Sequence, residues 1–134
     1  MTPYEARMPG RGYPVPAGAG KVGSSKATAA LAHFLGLFTW IVGPGIIYAI
    51  SPAGSESRKE AGKAFNFQVI AMLALIVGGV ASIILPNWMD NILFPVLWLG
   101  WLLGTVFGGA KAAQGEDWTN PATKVTRLRI LSEK

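Results

Sequence analysis

Cysteine is missing altogether, and histidine occurs once, at His33. Disulfides, thiolate metal sites and cysteine nucleophiles are therefore excluded, as is a cluster of histidine ligands. Charge is scarce: 14% of the 134 residues are charged and 51% are hydrophobic, whereas a soluble domain carries about 25% charged residues. That leaves little solvating surface for a water-soluble fold. No carboxylate lies within the long apolar runs, which argues against a proton relay or cation pathway. There is no nucleophile elbow, metal motif or credible phosphate loop, since Gly18-Ala19-Gly20-Lys21 follows no strand. Neither an enzyme nor a cofactor is expected. No basic run is interleaved with aromatics, so nucleic acid is not expected as a partner.

What is present is apolar residues in blocks of membrane-spanning length. Residues 1–25, rich in Pro, Gly, Ala and Ser, are expected to be disordered. Residues 26–112 are expected to form a helical membrane domain and residues 113–134 a basic C-terminal tail. Within the domain, segment one covers residues 27–50, a polar loop 51–63, segment two 64–85, a short turn 86–91 and segment three 92–110. Segments two and three are close to the ~20 residues that a spanning helix needs. Pro95 is expected in the first turn of segment three, where it is tolerated.

Segment one carries Gly43-Pro44-Gly45 near its middle. Proline removes a backbone donor and clashes with the preceding turn, and the glycines weaken the helix further. The charges bear on what this break does. Lys and Arg fall in the N-terminal stretch (Arg7, Arg11, Lys21, Lys26), the first loop (Arg58, Lys59, Lys63) and the C-terminal tail (Lys111, Lys124, Arg127, Arg129, Lys134), and none falls in 86–91. A first segment that enters and returns puts all of them on one side, as the positive-inside bias favours. Three full spans, with segment one merely kinked, translocate the basic N-terminal stretch instead. The expected fold is thus an all-α membrane protein with a broken or re-entrant first segment and a two-helix transmembrane hairpin. The expected location is the plasma (inner) membrane, with the loop and C-terminus cytoplasmic, the 86–91 turn opposite and the N-terminus cytoplasmic.

Small residues recur at spacing four: Ala74, Gly78 and Ser82 in segment two, Gly100, Gly104 and Gly108 in segment three. Such stripes let helix backbones approach closely in lipid, either within the chain or against a partner or second copy. Trp40, Trp88, Trp98, Trp101 and Tyr48 include candidate interface anchors, Trp88 foremost. His33, Asn66 and Gln68 are polar residues near one membrane face, and a re-entrant first segment would bring His33 and Asn66 within hydrogen-bonding reach. In the tail, basic and apolar residues alternate through Lys124-Val125-Thr126-Arg127-Leu128-Arg129-Ile130. Lys124, Arg127 and Arg129 could meet anionic headgroups while the apolar residues dip into the bilayer.

Ala32-His33, the central Gly-Pro-Gly, Ala64-Phe65-Asn66-Phe67-Gln68 and Ala110-Lys111-Ala112-Ala113-Gln114-Gly115-Glu116, followed by Trp118 and Pro121, occur in this order. Over about residues 27–131 the order resembles the DUF4870 family, which is similar to Tic20-like membrane proteins. Where that family often has Gly-Lys-Glu-Ala-Leu, this chain has Ala61-Gly62-Lys63-Ala64-Phe65. The resemblance implies a helical membrane fold and, by analogy alone, a translocation or channel role. The residues themselves point to a non-enzymatic accessory or assembly subunit of a larger membrane complex. An anionic-lipid-binding protein is a further alternative. The expected partners are membrane lipids and a protein or second copy within the membrane.

Overall fold

A computed structural model describes residues 25–133. Over these the chain forms α1 (Lys26–Thr39), α2 (Val42–Ile50), α3 (Glu56–Ala81), α4 (Asn87–Gln114) and α5 (Pro121–Thr126). The disordered tail expected for residues 1–25 lies almost wholly outside the described residues.

The Ser25 side chain caps α1 by accepting from Thr28 N at 3.1 Å, satisfying one of the orphan donors of the first turn. The helix stops at Trp40, whose φ of 53° and ψ of −117° leave helical space. Thr39 bridges the break: its hydroxyl donates to Leu35 O at 2.8 Å and accepts from Gly43 N at 2.9 Å. That contact caps α2, whose own N-cap residue, Ile41, supplies no side-chain bond. The break therefore falls at Trp40-Ile41, just before Gly43-Pro44-Gly45. Pro44 sits in the first turn of α2, where a missing N–H breaks no helical bond.

After the break the chain turns back. Ser57 Oγ donates to Ser25 O at 3.1 Å, at the start of α1. Arg58 donates to Tyr48 O at 3.1 Å and Ser51 O at 3.2 Å, at the end of α2. Both ends of the α1–α2 pair thus meet the first turn of α3. The tip reaches α4, where the Trp40 ring stacks on Trp101 with centroids 5.4 Å apart and lies 6.1 Å from Trp98. The first segment is a helical hairpin, entering and leaving at the same end.

Two helices are longer than the apolar segments that announce them. Ser55 caps α3 through Arg58 N, so α3 begins at Glu56, inside what reads as a polar loop. Helix α4 begins at Asn87, which places Pro95 in its interior rather than in its first turn. Interior proline is tolerated in membrane helices because neighbours re-satisfy the freed carbonyl. At the far end Gly115 takes a left-handed φ of 74°, and Glu116 N returns to Lys111 O at 3.0 Å, closing the helix as αL caps do.

The hairpin wedges against both long helices through small side chains. Ala29 and Ala30 of α1 meet Ala112 of α4, with Phe34 beside them. Ala32, Ile47, Ala61 and Ala64 join α1, α2 and α3, with Leu35 and Tyr48. Phe67, Ala71 and Trp101 complete the core under Leu37 and Ala122. The outside is apolar too. Only 33% of the most apolar stretch of α3 and 17% of that of α4 is buried, whereas core helices of soluble proteins are mostly buried. Ile76, Val77, Val80, Ile83 and Ile84 on one side of the turn and Ile92, Val96, Leu99, Leu103 and Phe107 on the other are exposed. An apolar surface of this extent marks a face for lipid or for a partner rather than for water. This is an all-helical membrane protein in which α3 and α4 form the two-helix hairpin long enough to cross a bilayer.

Candidate functional site

Where the two ends of the first hairpin meet α3, polar side chains are buried together. His33 Nε2 lies 3.1 Å from Glu60 Oε2. Lys63 Nζ donates to Glu60 Oε1 at 2.6 Å and to Asp117 Oδ1 at 2.6 Å. Lys59 Nζ donates to Asp117 Oδ2 at 2.8 Å. His33, Glu60 and Lys63 are 4%, 1% and 4% exposed, so each must be paired to sit there at all. The chain of bonds surfaces at Asp117, just beyond α4. Hydrogen bonds from Lys59 and Lys63 hold the Asp117 carboxyl down at about 2, below its ordinary 3.8.

One layer deeper, Gln68 joins α3 to α4. Its amide donates to Thr105 Oγ1 at 3.2 Å and its carbonyl accepts from Trp101 Nε1 at 2.6 Å. Thr105 in turn donates to Trp101 O at 2.8 Å.

A third set involves the C-terminal segment. Asn120 caps α5 through Ala122 N, and Pro121 follows at its first position. Beyond α5 the chain runs along α3 as a strap held by Asn66. The Asn66 Oδ1 accepts from Ile130 N and Leu131 N, both at 2.9 Å. Its Nδ2 donates to Leu131 O at 2.9 Å and Glu133 Oε1 at 3.1 Å. Residues 113–134 read as a tail, but α4 continues to Gln114 and 121–133 pack on α3.

His33 and Asn66 do not bond to one another. His33 is taken by Glu60 and Asn66 by the strap. Of the small-residue stripes, Gly78 faces Leu93 and Leu97 of α4, Gly104 faces Phe67 and Asn120, and Gly108 faces the His33 ring. Gly100 borders open space, where an added Cβ would meet nothing within 4 Å. Ala74 borders an apolar groove between α3 and α4, and the Ser82 hydroxyl donates to Gly79 O at 2.7 Å. The α4 stripe thus serves α1 and the start of α5 as much as α3. Lys124 and Arg127 are exposed, and Arg129 Nε lies 3.8 Å from Glu133. Trp88 is exposed at the turn, whereas Trp40, Trp98 and Trp101 cluster at the hairpin tip. Tyr48 lies under Arg58, 4.2 Å from the ring centroid.

Glu60, Lys63, Thr105 and Trp101 are absent from the sequence-based set of polar residues. For Glu60 the signal is helical spacing continued upstream of the apolar run: Ser57, Glu60, Ala64, Phe67 and Ala71 recur three and four apart. Ending the segment at its last charge cut that face short. Among the described residues no group of three or more His, Cys, Asp and Glu side chains could hold a metal ion.

Comparison with curated proteins and with solved structures finds no match. The family comparison corrects the resemblance to DUF4870 and Tic20-like proteins, because the family that matches is a different one. The match covers residues 24–129, the whole of the helical fold without the N-terminal stretch, and over it this chain belongs to the MamF/MmsF family, the magnetosome magnetite crystal formation protein family.

Proposed function

We propose that this chain is a non-enzymatic integral protein of the magnetosome membrane that takes part in magnetite crystal formation as an accessory or assembly subunit. The observation that carries this reading is where its buried polar groups are spent. His33, Glu60 and Lys63 are committed to one another, Gln68, Trp101 and Thr105 to one another, and Asn66 to the strap. Side chains used as ties between helices support a scaffold rather than a reacting centre. The family supplies the process. The translocation alternative falls with the corrected resemblance. The family match does not support the anionic-lipid-binding alternative as the chain's function, and the C-terminal segment is not a free tail, because Asn66 holds it on α3. A partner protein, or a second copy, is proposed to seat on the apolar faces that α3 and α4 leave exposed.

The orientation proposed places residues 51–55, the C-terminus and the start of α1 on the cytoplasmic side and residues 82–86 on the other. The basic residues then stay on one side.

The test is deletion of the chain in a cell that builds magnetosomes, with crystals measured by electron microscopy. Crystals altered in size or shape inside vesicles that still form are the expected result, restored by the wild-type chain. Unaltered crystals would overturn the proposal. Mild-detergent isolation of the tagged chain, with mass spectrometry of what accompanies it, separates an accessory subunit from a protein acting alone.

A further inference from the structure

We propose that the groove between α3 and α4 beneath the C-terminal strap is a binding site for one anionic phospholipid. The inference rests on the membrane placement above but not on the role in crystal formation. The groove encloses about 630 Å³. Ile70, Ala74 and Val77 of α3 and Leu97 of α4 line it, and Thr126 at the end of α5 and Leu128 of the strap close its upper end. Thr126 is the one polar residue of the lining. From Ile70 to Ala81 the groove follows α3 for about 16 Å at 1.5 Å per residue. That is roughly half of a ~30 Å hydrocarbon core, the depth of one acyl chain. Leu73 and Val77 are largely exposed, so the groove opens sideways into the bilayer, from which a chain can enter.

The rim carries the charge. Arg127 stands between Thr126 and Leu128, at a φ of 54° that non-glycine residues seldom adopt. Its side chain is exposed, as is that of Lys124 one turn earlier. Among the described residues neither side chain has a hydrogen-bonding or ionic partner. Of the other basic residues at this end, Lys59 and Lys63 hold Asp117 and Lys111 holds Glu116, while Lys26, on α1 beside Gly115, is unpaired but not next to a residue that lines the groove. An unpaired Arg127, flanked in sequence by the two residues that close the slot, with Lys124 one turn before it, matches a phosphate headgroup with net negative charge, its tail lying between Ala74 and Leu97. Asn66 fixes the strap on α3 just beyond these residues.

Native mass spectrometry of the full chain in mild detergent tests the site. The chain is exchanged in turn with phosphatidylglycerol, with phosphatidylcholine of the same acyl chains, and with water-soluble glycerol phosphate. The expected result is one phosphatidylglycerol retained per chain, on the order of tenfold above phosphatidylcholine, with no retention of glycerol phosphate. Replacing Lys124→Gln together with Arg127→Gln should remove that preference, Ala74→Trp should reduce retention of both lipids by filling the slot, and Lys26→Gln should change neither. Equal retention of the two lipids by the wild-type chain would overturn the proposal whatever the variants do. So would retained glycerol phosphate, a headgroup preference surviving the double substitution, or a groove occupied by a second copy, seen as a dimer that excludes lipid. Altered crystals on deletion bear on the function alone and leave this site untouched.

Discussion

Asn66 holds four atoms of the C-terminal segment with one fully buried amide. Its Oδ1 takes two backbone N–H groups and its Nδ2 serves Leu131 O and Glu133. Asn66→Ala strips these at once and should cost about 2–3 kcal/mol, the scale of several net hydrogen bonds with buried groups left unpaired. The strap should then be cut by protease while α1–α4 stay intact. A strap as resistant as the wild type's would show that apolar packing alone holds it. Asp117 makes a second prediction, in pH. Its carboxyl is lowered to about 2, first by Lys59 and then by Lys63, so the folded state binds the proton less well than the unfolded chain. Stability from this group is fully present above pH 4 and falls away as pH drops toward 2. Asp117→Asn should therefore lower Tm at pH 6, and the gap from wild type should shrink as the pH is lowered through that window. A gap that is constant from pH 6 to pH 2 would mean the carboxylate charge is not what matters. Because Asp117 is 66% exposed, the effect should also weaken in high salt.

Glycines in α4 separate the contacts of its faces. A methyl at Gly108 would lie 2.6 Å from His33 Nδ1, whereas one at Gly100 meets open space. Gly108→Ala should destabilise by about 1–3 kcal/mol as α1 is pushed from α4. Gly100→Ala should be neutral or stabilise by up to ~1 kcal/mol through helix propensity. Chemical denaturation in detergent measures both, and equal effects would mean that α1 does not lie against α4 at Gly108. The same elements mark what was legible in the sequence. The two spanning helices, the broken first segment and its return were readable, because apolar length, a Gly-Pro-Gly and one-sided charge all act locally. The position of the break was not: Gly43-Pro44-Gly45 suits the start of a helix as well as the end of one, and the Thr39 hydroxyl and the Trp40–Trp101 stack decide between them. The buried Glu60 and Lys63 were not readable either. A charge near an apolar run looks like its boundary, and only a partner distant in sequence, His33 or Asp117, makes burial tolerable. The strap was hidden for the same reason, since its polar backbone is satisfied by Asn66 more than sixty residues away.

For the molecule as a whole, the re-entrant hairpin and the strap give α3 and α4 different surroundings at their two ends. Toward the start of α3, every buried charge is paired and the first hairpin and strap cover the helices. Toward the 82–86 turn, α3 and α4 meet lipid almost alone. The positive-inside bias predicts that the end carrying the basic residues stays on the side where chains are made. The absence of cysteine makes this measurable, since each introduced thiol is the sole target. Ser57 is a poor site, being buried against Ser25 O, but Ala53, Ala113 and Asn87 are exposed. In intact spheroplasts an impermeant maleimide should label Ala53→Cys and Ala113→Cys only after lysis, and Asn87→Cys before it. External labelling at both 53 and 87 is impossible for a chain in which α3 spans the bilayer, and would undo the membrane hairpin. External labelling at 53 and 113, but not at 87, would keep the fold and reverse its orientation. The fold alone permits either direction, because pairing inside the protein does not depend on which side faces out; only the unpaired cations, Lys26, Lys124 and Arg127 among the described residues, bias the choice.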